Sequence, residues 1–141
     1  METAKTTYTG GLRTRMTHLR SGSVVVTDAP VDNKGKGEYF SPTDLVASAL
    51  GSCIFTIMGI AAAEHGFSID GSTCSITKVM AENPRRIGEI IIEFDLTGHT
   101  YTDKQKKILE YCVKTCPVAL SLNENLKQDR KSTRLNSSHR L

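Results

Sequence analysis

The chain of 141 residues has no tryptophan and only four Phe and four Tyr. So few aromatic rings argue against a stacking surface for single-stranded nucleic acid. A basic footprint is missing as well. The formal charge is +3, but Arg130, Lys131, Arg134 and Arg140 supply four of the 18 basic residues, and the other 14 face 15 acids. A body balanced in this way gives no reason to expect DNA, RNA or anionic lipid as a partner. Met1 to Thr9 contains no apolar stretch of the kind a secretory signal needs. Four cysteines without such a signal point to a reducing compartment, the cytoplasm by default, where thiols are free, catalytic or metal-bound.

What is present is the composition of a folded domain, with 38% hydrophobic and 23% charged residues. The length suits one domain with a real core. The stretch Ser41–Gly66 dominates it. Ser41 is placed as N-cap, Pro42 as first helical residue and Asp44 three positions after the cap. Gly66 is placed to take the left-handed turn that ends a helix. From Leu45 to Ala63 there is no charge, so the helix is expected to be buried on most of its circumference. Its length just reaches that of a membrane span. The run is nevertheless diluted by Gly, Ser, Thr and Ala and lacks flanking Lys/Arg clusters, so no membrane partner is expected.

Around that helix the chain alternates. Lys5–His18 is polar with a Gly10-Gly11 irregularity suited to a strand bulge, and Ser23–Thr27 is β-branched and closes at Asp28-Ala29-Pro30. Positions 32–37 read as a polar loop. Ser68–Met80 reads as extended. Glu89–Leu96 is the clearest strand, with Ile90, Ile92, Phe94 and Leu96 on one face. Thr102 and Gln105 form a capping box ahead of a helix through Val113, and Pro117 stops that helix or restarts it as a short one from Val118 to about Leu126. The last dozen residues, 130–141, change composition abruptly and are set aside as a non-native tail. The order of elements is that of an α+β domain over residues 1–129.

Cys53, in the middle of the long helix, is its only reactive side chain. From the helix alone its first reading is an inert thiol packed as a small hydrophobe. Cys112 and Cys116 are four apart, but zinc wants a second clustered pair, which the chain does not offer. Cys116 falls at an N-cap position ahead of Pro117, where a helix start would favour its thiolate. The alternative is a thiol that merely packs at a bend.

"SPTDLVASALGSC" followed by "TCPVALSL", with "YTGGLRTRMTHLRSGSVVVTDAP" and "ENPRRIGEIIIEFDLTG", resembles the OsmC/Ohr family from about Tyr8 to Gln128. The resemblance implies an antiparallel sheet wrapped around a long central helix in an intertwined homodimer. It implies thiol-dependent reduction of organic hydroperoxides, with Cys53 attacking the peroxide, Cys116 resolving, and Arg13 stabilising the thiolate. Cys74 and Cys112 are bystanders. The reductant would be a lipoyl-type dithiol, and the cycle would need no metal, haem or flavin. Two departures stand out. The family's usual Glu after the helix-starting Pro is Thr43 here. Asp44, nine residues before Cys53 and so roughly 180° around an ideal helix from it, is a cap rather than a substitute. The final strand expected after Lys127-Gln128 is replaced by the tail, leaving an open sheet edge. Arg15 and Arg20 compete with Arg13 by position. A rival reading keeps the fold as a binding or sensor module for a small apolar or electrophilic molecule, and a third is an interaction protein with inert thiols.

Overall fold

A computed structural model describes residues 1–132 and 139–140. Two compact units are formed, Met1–Val46 and the chain from Ala47 on.

In the first unit, β1 (Ala4–Gly10), β2 (Arg13–His18) and β3 (Val24–Asp28) make a three-stranded antiparallel sheet. The pairing of β1 with β2 shifts register between Tyr8 and Gly10, the irregularity expected at the paired glycines, and the turn follows at once. Gly10, Gly11 and Leu12 all have positive φ (94°, 63° and 64°) and turn the chain back as a hairpin. A short 3-10 turn, Val31–Asn33, and the loop that follows lead to the long helix α1 (Pro42–Glu64).

The N-terminus of α1 carries the reciprocal cap that its sequence predicts. Asp44 N–H donates to Ser41 Oγ (3.1 Å), and Ser41 N–H donates to Asp44 Oδ2 (3.0 Å). Its C-terminus closes on Gly66 (φ 74°), with Phe67 N–H donating to Ala62 O (2.9 Å).

The second unit is built on a four-stranded sheet in the order β4-β5-β6-β7: β4 (Thr73–Ala81), β5 (Arg86–Asp95), β6 (Lys127–Ser132) and β7 (His139–Arg140). β4 and β5 are antiparallel, but β5 and β6 run parallel, so the sheet is mixed. The final strand is therefore not missing. Residues 127–132, including three that were set aside with the tail, pair along Glu89–Phe94. Helix α2 (Asp103–Thr115) starts at the Thr102/Gln105 capping box, and α3 is shorter than expected, Pro117–Ser121.

One apolar cluster holds this unit. Leu50, Ile54 and Met58 of α1, Ile90, Ile92 and Phe94 of β5, and Leu109 and Val113 of α2 are all fully buried in it. The buried positions of α1 (Ala47, Leu50, Gly51, Ile54, Met58, Ala62) form a single stripe. Only 33% of its most apolar window is buried, so a single chain does not cover this helix on most sides. Among the described residues α1 is also the one helix apolar and long enough to cross a membrane, although its buried stripe makes it a core helix here.

Candidate active site

Cys53 lies beside the buried stripe of α1, half-buried and packed against the core cluster. Cys116 is buried in the same cluster. Pro117 cannot sit inside a continuous helix, so the residue before it turns extended, at φ −64° and ψ 122°. This break ends α2, makes Cys116 the N-cap of α3 with Pro117 in the first turn, and turns the buried Cys116 thiol inward. Both thiols are reduced, and Cys116 lies close enough to Cys53 to hydrogen-bond toward it.

The electrostatics at Cys116 differ from the expectation of a lowered pKa. Burial pushes the thiol up, and its hydrogen bond to Cys53 pushes further in the same direction. Backbone N–H groups of Ala119 and Val118 pull the other way and lose. A five-residue helix offers little dipole to offset desolvation. Cys116 is thus a protonated donor toward Cys53 at neutral pH.

Burial also raises Cys74 and Cys112. Cys112 donates to Ile57 O (3.8 Å) and lies at the floor of an apolar groove of about 520 Å³ between α1 and α2, walled by Ile57, Ile60, Ala61, Ile108 and Tyr111. Cys74 faces α1 where Gly51 lets the helix come close: a Cβ at Gly51 would lie 2.9 Å from Ile76 Cδ1 and 3.2 Å from Cys74 Sγ. On β6, Arg130 donates to Val113 O and Gln128 Oε1 (both 3.3 Å), while its buried Nε has no partner. Burial lowers its pKa, and the charges of Cys116 and Asp129 oppose that.

Arg13 belongs to the first unit, and its own contacts single it out from Arg15 and Arg20, which are exposed. Its Nη2 donates to Asp28 Oδ2 (3.5 Å) and to Glu38 Oε1, and its guanidinium lies 5.2 Å from the centre of the Tyr39 ring. Asp28 is fully buried. Its Oδ2 also accepts from Glu38 N–H (3.0 Å), and its own N–H donates to Phe40 O (3.1 Å). Sequence reading missed Asp28 and Glu38 as partners of Arg13. The one available hint was an acid placed against two aromatic residues, Glu38-Tyr39-Phe40, directly before a helix cap. Thr43 Oγ1 is 3.2 Å from Ser41 Oγ, within the cap itself.

Comparison with known proteins adds to this geometry. A family profile described as "OsmC-like protein" matches residues 35–129. A solved structure from Psychrobacter arcticus, described as a candidate osmotic stress induced and detoxification response protein, is 47% identical. The match covers 94% of this chain and 96% of that one, with a TM-score of 0.89. An organic hydroperoxide resistance protein of Legionella pneumophila shares the fold at 13% identity (TM-score 0.73; 94% and 97% covered). So does OhrB of Bacillus subtilis at 18% (TM-score 0.68; 93% and 98% covered). No curated protein sequence matches the chain.

Proposed function

Because the chain belongs to the OsmC/Ohr family, we propose that it is a thiol-dependent peroxidase for organic hydroperoxides, working in the cytoplasm as a homodimer. The observation that carries this reading is the proximity of the reduced Cys116 thiol to Cys53.

The chemistry follows from that contact. The Cys53 thiolate attacks the terminal oxygen of ROOH and the O–O bond breaks. Sulfur keeps that oxygen as Cys53–SOH, and the departing RO⁻ takes a proton to become ROH. Cys116 gives up its proton as its sulfur attacks the Cys53 sulfur; the departing hydroxide takes up a proton and leaves as water, and a Cys53–Cys116 disulfide remains. An external dithiol, of lipoyl type, attacks the disulfide and returns both thiols while closing its own ring. Arg13 is the cation that the family likeness assigns to the thiolate; within its own unit it is held by Asp28 and Glu38. Incomplete cover on α1 supports the homodimer, since a second copy would bury what one chain exposes.

The test adds cumene hydroperoxide to the reduced protein and maps bonds by mass spectrometry. A rapid Cys53–Cys116 bond, abolished in Cys53→Ser, is the expected result. Slow oxidation spread over all four thiols would remove the enzyme reading. A second reading, a binding module for a small apolar ligand, is favoured by one observation, the groove over Cys112. It predicts tight binding of the ligand without turnover.

A further inference from the structure

The groove between α1 and α2 is used by no step of the thiol cycle, and every residue that lines it belongs to the second unit. The two helices run antiparallel along it. Towards one end Cys112 Sγ donates to Ile57 O (3.8 Å). At the other end the Tyr101 ring, just before α2, meets the Phe67 ring, just after α1, with centres 6.2 Å apart. At about 1.5 Å of rise per residue, Ile57 to His65 spans roughly 12 Å and Lys104 to Thr115 roughly 16 Å. The cavity of about 520 Å³ is the size of a small-molecule site.

Polarity is divided along that length. The walls are mainly Ile57, Ile60 and Ile108, with Tyr111 beside them. Ile60 is 53% exposed and Tyr111 68%, so an occupant of the groove would take two large apolar side chains out of water. The charged lining residues are gathered where α1 stops and α2 starts: Glu64 on one helix, Lys104 and Lys107 on the other. The negative end of α1 and the positive end of α2 meet there and offset each other. Two lysines against one glutamate then leave this end of the groove at a formal +1.

We infer that this groove binds a linear amphiphile with a single anionic head, of the class of medium-chain carboxylates. The tail lies along the isoleucine walls and the carboxylate sits at Lys104 and Lys107. A chain of about ten carbons fits the length, at roughly 1.2 Å of reach per bond in an extended chain. A neutral amphiphile gains the apolar burial without the ion pairing, and a cationic one meets repulsion from the lysines. The inference rests on the second reading above in taking the groove as a ligand site, and it is independent of the peroxide chemistry at Cys53.

The experiment titrates decanoate, decanol and decylammonium into the full chain by calorimetry, each below its micelle concentration. The expected result is one decanoate per chain, bound roughly fivefold more tightly than decanol, with decylammonium weakest. Replacing both lysines (Lys104→Ala with Lys107→Ala) should abolish the preference and leave decanol binding unchanged. Ala61→Phe, which fills the groove, should weaken all three probes, and thermal melts check that each variant is folded. Equal binding of decanoate and decanol by the parent overturns the anionic head, while the apolar-ligand reading survives. Binding of none of the probes overturns both. A preference for decanoate that persists without the two lysines also overturns the inference, because the anion then sits elsewhere. Sedimentation supplies the last arm: if the parent is a dimer and Ile60→Glu a folded monomer, the groove is an interface between copies and the inference falls.

Discussion

The two units of this chain are held by opposite kinds of interaction. In the second, Leu50, Ile54, Ile90, Ile92, Phe94 and Leu109 are wholly removed from water. In the first, the buried side chains of the sheet are Thr27 and Asp28, while Tyr8, Leu12, Leu19, Val24 and Val25 are exposed. A three-stranded sheet needs an apolar face against something to be stable in water. The second unit has an interior of its own, whereas the first has ionic stitching and an uncovered apolar surface. One unit is thus built on apolar burial and the other on ionic contacts, those of Arg13 with Asp28 and Glu38 among them.

The contrast can be broken most severely from the core side. Phe94→Ala empties a fully buried site and removes an edge-to-face contact with Phe55 at 5.2 Å. It is expected to cost roughly 3–5 kcal/mol in chemical denaturation, whereas Val25→Ala in β3 stays within about 0.5 kcal/mol when the chain is measured as a monomer. Equal losses would mean that the two units share one interior. Next in size is the ionic anchor. Asp28→Ala leaves Glu38 N–H and Arg13 short of an acceptor and is expected to cost roughly 1–3 kcal/mol. Asp28→Asn, which keeps an oxygen, should cost less. Smaller still is Gly51→Ala. The added methyl gains helix propensity but crowds Ile76 and Cys74, for a net loss of about 1 kcal/mol, read from the shift in urea midpoint.

The smallest effect is a pH dependence. A thiol whose pKa is higher folded than unfolded holds its proton more tightly in the fold. Its contribution is complete below the ordinary value of 9.0 and drains away as pH rises past that toward the folded value. Cys74, Cys112 and Cys116 all behave in this sense. Stability should therefore fall on the alkaline side, and Cys116→Ser should make that fall shallower. An unchanged slope in equilibrium unfolding between pH 8 and pH 10.5 (roughly the thiol range) would contradict the burial of Cys116.

Much of this was legible in the chain because it is decided locally. Ser41-Pro42-Thr43-Asp44 and Thr102 with Gln105 announce helix starts through contacts three residues apart, and both boxes close as read. The alternation in β5 names its own buried face. The sulfur pair was reached through family likeness, not through any local pattern in the chain. The irregularity at Gly10-Gly11 was legible too, and the register of β1 does shift between Tyr8 and Gly10. Two things escaped. β6, Lys-Gln-Asp-Arg-Lys-Ser, has no apolar alternation, and its strand geometry comes from a parallel neighbour far away in sequence. The link from Arg13 to Glu38 crosses 25 residues and leaves no periodic trace.

The break that Pro117 forces between α2 and α3 has a mechanical side. A covalent link from that corner to α1 would close a loop of roughly 60 residues containing β4, β5 and all of α2. Tying off so long a loop removes about 4 kcal/mol of unfolded-chain freedom. A form carrying that link would be the more heat-resistant of the two redox forms, and reducing the link would soften it again.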